Sequence, residues 1–233
     1  MAVRSKLARG AGRPLKVAIE LLVVAPRRGE LAIALERVVG RAGRERWVIP
    51  SDELGPDELV DEAAVRLARR ILGERPAFLD QIVALGGAGR PVDSITTSQI
   101  GIVYLGLVPE SSAPLTGELT WKPLSQVPPL SARNRQALER TLVAIRRRVD
   151  QQPVAFRLLP AAFTLTELQS IYELLLGRPL HKASFRRSLH ASALVEATDE
   201  WRSEGRGRPA QLFRYAASRR RRPRRGVRFD LLG

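Results

Sequence analysis

The spacing of apolar residues changes character several times along this 233-residue chain. Near its start, KVAIELLVV (16–24) and LAIALERV (31–38) are aliphatic runs around Pro26-Arg27-Arg28-Gly29. Runs of that length bounded by Pro and Gly predict two strands and a turn. QIVAL at 81–85 and IGIVYLGLVP at 100–109 predict two more strands, followed by the piece ELTWKPLSQVPPL. Between them the period becomes helical, with Val60, Ala64, Leu67 and Ile71 on one stripe. Pro56, Asp57 and Glu58 suit the first turn of that helix, Arg69 and Arg70 its last, and Gly73 its cap. Residues 132–149 predict a connecting helix with Leu138, Leu142 and Ile145 on one side.

The pattern is most informative over residues 163–215. Thr164 and Glu167 make a capping box, in which each side chain bonds an orphan backbone N–H at a helix start. Leu165, Leu168, Ile171, Tyr172 and Leu175 recur at helical spacing, and Gly177 supplies the stop. After Arg178-Pro179 a second helix of about 12 residues carries Lys182, Ser184, Arg186, Arg187 and His190, with Phe185 and Leu189 toward the core. Leu194-Val195-Glu196 and 210–215 then read as two strands joined by Gly205-Arg206-Gly207-Arg208-Pro209. Two helices and a basic hairpin are the plan of a winged helix-turn-helix. An apolar back with a cationic front suits the DNA major groove, where Arg reads guanine edges and Lys or Ser holds phosphate. Thr164, Thr166, Lys182, Ser184, Arg186 and Arg187 are the candidate contacts on the helices, and Arg206 and Arg208 those on the wing. The alternative is an ordinary solvated helix face.

Charge favours the first of these. The formal net charge is +15, and residues 151–233 hold 16 Lys/Arg against 7 Asp/Glu. A surplus concentrated in one part of a chain points to a polyanionic partner. Seven arginines lie between 219 and 228, a block that adds affinity for nucleic acid without base specificity. The first 19 residues contain no acid and five cations, which suits a basic arm better than a transit peptide. There is no cysteine, so disulfides, thiolate metal sites and Cys nucleophiles are excluded. His181 and His190 alone make no zinc site. No run of 18 apolar residues is present to span a membrane, and the expected location is cytoplasmic, with the nucleoid.

Residues 46–74 keep the register of a Nudix box, G-x5-E-x7-R-E-U-x-E-E-x-G-U. Asp52 stands at its first glycine, Glu58 at its first glutamate, Arg66 at its arginine and Gly73 at its last glycine. The segment PVAFRLLPAAFTLTELQSIYELLLGRPLHKASFRRSL and the later GRGRPAQLFRY add the second half of the likeness. Together they resemble the Nudix-related transcriptional regulators, bacterial repressors of NAD metabolism genes. That resemblance implies an α+β chain, an N-terminal Nudix-like α/β sandwich followed by a C-terminal winged helix-turn-helix domain. It divides the chain into a basic arm (1–14), a degenerate Nudix-like sensor (15–130), a connecting helix (131–150), a winged helix-turn-helix (151–217) and an Arg-rich tail (218–233).

The resemblance further implies a homodimer on palindromic double-stranded DNA and an effector such as ADP-ribose or another NAD-derived nucleotide, with no cofactor. Arg46, Glu58 and Arg66 are the candidate effector contacts, although Trp47 beside Val48 and Ile49 suits the core. In a Nudix hydrolase the glutamates of the box helix share one face and hold Mg²⁺ against a pyrophosphate. Here those positions are Leu67, Arg70 and Ile71, which cannot ligate a divalent ion. No catalytic or metal-binding residue is therefore expected. The Gly-Gly usual before the box is Ser51-Asp52, and His181 replaces the usual acidic helix start. Two rivals remain: a pyrophosphohydrolase using Glu53, Asp57, Asp61 and Glu62 by another metal route, and a nonspecific architectural or RNA-binding protein.

Overall fold

The computed structural model describes residues 16–40, 43–86, 99–111, 115–203 and 209–216. The basic arm, the Arg-rich tail and the wing-tip residues Arg206 and Arg208 lie outside these described residues. The two N-terminal runs form an antiparallel hairpin, β1 (Lys16–Arg27) and β2 (Glu30–Val39). Its loop is shorter than the four-residue turn expected: only Arg28 and Gly29 intervene, with φ of 51° and 82°. Positive φ at both central residues is the hairpin geometry whose twist matches that of paired strands.

The sequence RWVIPSDE contributes two short strands that apolar runs alone did not reveal, β3 (Glu45–Val48) and β4 (Ser51–Glu53). The helix α1 (Val60–Leu72), strands β5 (Phe78–Leu85), β6 (Gln99–Leu107) and β7 (Leu119–Pro123), and helix α2 (Ala132–Gln151) follow. The sheet runs β3-β2-β1-β6-β5, with β4 on β1 and β7 on β2, and β1 lies parallel to β6 at its centre. Alternation along β1 gives the sheet two faces. Ile19, Leu21, Val23 and Ala25 pack with α1, while Leu22 and Val24 belong to the core on the other side.

That second core does not stop at the sheet. Leu22, Val24, Val103 and Leu105 join Ile145 and Val149 of α2, and then Tyr172, Phe185 and Leu189 further along the chain. After α2 a 3-10 segment, Val154–Leu158, leads into α3 (Leu165–Leu176), α4 (Lys182–Ser192) and the antiparallel pair β8 (Val195–Arg202) and β9 (Ala210–Tyr215). Phe163 bridges Phe213 through two backbone hydrogen bonds of 2.9 and 2.7 Å, adding a short third strand to the wing. The long helix therefore packs against both the sheet and the helix-turn-helix.

Candidate nucleic-acid interface

The helix-turn-helix is built around a cluster of aromatic rings. Phe156 meets Phe163, Tyr172 and Tyr215 at centroid distances of 5.7, 6.5 and 4.7 Å, and Tyr172 meets Phe185 at 5.6 Å. Phe185 and Leu189, fully buried on the back of α4, fix which face of that helix looks outward. Lys182, Arg186, Arg187 and His190 are exposed on it, and Ser184 is half-buried. The helix carries the cations expected of it, on an open front.

The turn before α4 is held by side chains of α3. Leu180 donates its backbone N–H to Glu173 Oε1 at 2.8 Å, and Gln169 Nε2 donates to the Leu180 carbonyl at 3.0 Å and to Glu173 Oε1 at 3.0 Å. His181 stands at the N-cap without a side-chain cap bond; its Nδ1 lies 3.2 Å from Ser184 Oγ. Ser184, a candidate phosphate contact, is thus already paired within the helix start.

Thr164 differs from the other candidates. It is 7% exposed, its Oγ1 accepts the Glu167 N–H at 3.1 Å, and Glu167 Oε2 accepts the Thr164 N–H at 2.7 Å. The structure gives it a capping position, largely buried, at the start of α3. Thr166 is exposed and lines a cleft of about 480 Å³ between α3 and the β1–β2 loop. Glu167 extends the cap to the wing: Arg202 donates to its Oε1 at 2.6 Å and to the Ala162 carbonyl at 3.3 Å. Neither the Gln169–Glu173–Leu180 contacts nor Arg202 carried a signal in the periodicity, because these side chains act across the turn or from a distant strand.

The box, the other motif of the sequence, is closed on itself. Arg66 Nε donates to Glu58 Oε1 at 2.8 Å and Nη2 to Glu58 Oε2 at 2.9 Å, while Nη1 donates to Asp52 and Nη2 also to the Glu53 carbonyl at 3.0 Å. The Arg66 hydrogen bonds, with the Gly55 N–H donating to Oε2, lower the Glu58 pKa to about 2. The same partnership raises that of Arg66. Glu58 precedes α1 rather than opening it; Asp61 and Glu62 occupy the first turn, and Glu62 accepts the Leu59 N–H at 3.4 Å. This corrects the helix start expected at Pro56-Asp57-Glu58. Glu58 is turned instead to Arg66 across the box.

Leu67 and Ile71 are 0% exposed in the core beneath the sheet, and Arg70 Nη2 donates to the Ser51 carbonyl at 3.2 Å. The box therefore does not fit a divalent ion: two of its ligand positions are core and a third is a cation. Two of the nearby acids are otherwise engaged, Glu53 with Lys16 at 2.6 Å and Asp61 with the hydroxyl of buried Tyr104. Burial, and then that contact, push the Tyr104 pKa upward. Among the described residues, no group of three or more His, Cys, Asp or Glu side chains converges as a metal site. Arg46 is half-buried on β3, and its Nε is buried without a hydrogen-bond partner among the described residues. Trp47 beside it is half-buried under the Lys122 ammonium, 4.1 Å from the ring centroid.

These features define a class of architecture: a Nudix-like domain, with Leu67 and Ile71 of its box helix in the core, joined through one helix to a winged helix-turn-helix. Residues 155–215 match the family described as the NrtR DNA-binding winged helix domain. A curated relative, the ADPR responsive transcriptional repressor NtrR of Acinetobacter baylyi, is 27% identical over 206 residues, covering 85% of this chain and 81% of its own. The crystal structure of Shewanella oneidensis NrtR complexed with a 27mer DNA superposes with a TM-score of 0.72 at 23% identity, covering 85% of this chain and 93% of that one. A MutT/nudix family protein from Enterococcus faecalis gives 0.69 at 14% identity, covering 87% and 88%. Residues 155–215 are thus similar to the NrtR winged helix domain, and the chain resembles the ADPR responsive repressor over most of its length.

Proposed function

We propose that this chain is a dimeric transcriptional repressor of NAD biosynthesis or salvage genes. Its Nudix-like domain is a catalytically inactive sensor of ADP-ribose or a related NAD-derived nucleotide. The observation that carries this reading is the pairing of an exposed cationic front on α4 with a box whose Leu67 and Ile71 are fully buried. One part is shaped to meet polyanionic DNA; the other keeps Glu58 and Arg66 of the box but has Leu67, Arg70 and Ile71 where a hydrolase helix has acids. The name of the Acinetobacter relative, ADPR responsive, supports the choice of effector.

Lys182, Arg186 and Arg187 enter the major groove, with Ser184 and Thr166 near the backbone and Arg206 and Arg208 on phosphate or the minor groove. Two heads on a palindrome read half-sites about one helical turn apart. Of the three candidate effector contacts, Arg46 is the strongest, because its Nε has no partner among the described residues while Glu58 and Arg66 satisfy each other. Release of DNA follows only to the extent that the nucleotide binds the DNA-free geometry more tightly.

The test is selection of duplexes from a randomised pool by the purified chain, followed by competition with random DNA and with RNA. An enriched palindrome that outcompetes random duplex by about a thousandfold is expected. Equal retention of every duplex would leave only a nonspecific binder.

A further inference from the structure

One ion pair lies where the sheet, the box and the long helix meet. Glu20 sits inside β1, with its backbone in register with Ser51 of β4 on one side and Val103 of β6 on the other. Ser51 adjoins Asp52, which Arg66 holds. The Glu20 side chain faces the opposite way from Ile19 and Leu21, toward α2, and the residue is only 7% exposed. There Arg133, in the first turn of α2, donates from Nε to Glu20 Oε1 at 2.9 Å, and its Nη2 lies 2.8 Å from the same oxygen.

Two details set this pair apart from surface ion pairs. Both nitrogens converge on Oε1, while the buried Oε2 has no hydrogen-bond partner among the described residues. A guanidinium often takes both oxygens of a carboxylate side by side, which this pair does not do. The second detail is the space left by β6. A Cβ at Gly101 would stand 2.4 Å from Glu20 Oε1 and 1.9 Å from Arg133 Nη2, so a residue with any side chain would push the pair apart.

Buried ion pairs add little to stability over apolar residues of equal volume, but losing one partner is costly because the other charge stays buried. Such a pair fixes position more than it adds stability. Arg148, near the other end of α2, donates to Asp80 Oδ2 of β5 at 3.0 and 2.7 Å, giving the helix a second fixed point. Between them the helix shares the core that continues into Tyr172 and Phe185.

We propose that Glu20 and Arg133 are positioning residues: they seat α2 on the sheet and pass displacement of the box strand β4 to the reading head. The proposal rests on the reading that the first domain is the sensor. It adds the residues through which sensing reaches DNA.

The experiment uses the full chain carrying Glu20→Gln, with Gly101→Ala as a second variant that leaves both charged groups in place. The Kd for a selected duplex is measured with and without ADP-ribose, alongside ADP-ribose binding, thermal unfolding and amide hydrogen exchange. The expected result is that cooperative unfolding and ADP-ribose binding persist, that the ligand-induced change in DNA Kd shrinks by about tenfold, and that exchange rises along α2 and α3 and not along α1. A ligand-induced change of wild-type size with unaltered exchange in α2 overturns the proposal. If the wild-type chain itself ignores ADP-ribose, the sensor reading fails separately, and the exchange arm still decides. Faster exchange in α2 and α3 then supports the positioning role, and unchanged exchange refutes it.

Discussion

Arg66 grips both carboxylate oxygens of Glu58, at 2.8 and 2.9 Å, and so ties the loop before α1 to the middle of that helix. The pair spans the box, beside the buried Leu67 and Ile71. It also has a pH signature. Glu58 titrates near 2 in the folded chain against an ordinary 4.5, so its carboxylate contributes stability that is fully present above about 4.5. That contribution is lost as pH falls through 2. Glu58→Gln should lower Tm at neutral pH, and the gap to wild type should close as the pH is taken from 4.5 toward 2. A gap independent of pH would show that the carboxylate charge is not what holds the loop.

Thr164 and Thr166 stand close in sequence with opposite surroundings. Thr164→Ala removes a helix cap and should cost about 1 kcal/mol of stability, measured by urea denaturation. Thr166→Ala, at an exposed position, should change stability by no more than about 0.5 kcal/mol and act only on DNA affinity. Equal effects on stability would contradict the capping geometry.

The turn of the helix-turn-helix depends on Glu173 and Gln169. Replacing Glu173 by Ala leaves the Leu180 N–H without its acceptor at a buried residue, a loss of about 1–3 kcal/mol. DNA affinity should fall with it, since Leu180 sets the approach to α4. Retained stability and affinity would mean that the turn is held by other contacts.

Much of this was legible because local patterns and their partners coincide. The stripe Leu168, Ile171, Tyr172, Leu175 and the box Thr164–Glu167 specify α3 from within its own span, and Gly177 ends it in the left-handed conformation. Leu67 and Ile71 announced their burial by spacing alone. Strands β3 and β4 were not legible, since RWV and SDE are too short and too polar to show alternation and exist by pairing with β2 and β1. The start of α1 differs from the expected one for a related reason: Glu58 pairs with Arg66, eight residues further along, which the first-turn pattern does not show. Glu20 and Arg133 are 113 residues apart, and no local rule joins them.

Arg186→Ala and Arg187→Ala should each weaken binding to a selected duplex by about 1–3 kcal/mol without lowering Tm. Both side chains are exposed on the front of α4. Removal of residues 219–233, with seven arginines, should weaken binding to selected and random duplexes alike and flatten the salt dependence. Unchanged binding in the double arginine variant would move the reading surface elsewhere.

The proposal of a sensor without chemistry, coupled to a reader of DNA, can be tested in both halves by one titration. ADP-ribose is added to the chain bound to a fluorescent selected duplex, in Mg²⁺ or Mn²⁺, while anisotropy and AMP formation are followed in the same sample. The expected result is a saturable fall in anisotropy with ADP-ribose recovered intact. Steady production of AMP, or a complex indifferent to saturating ADP-ribose, would contradict it.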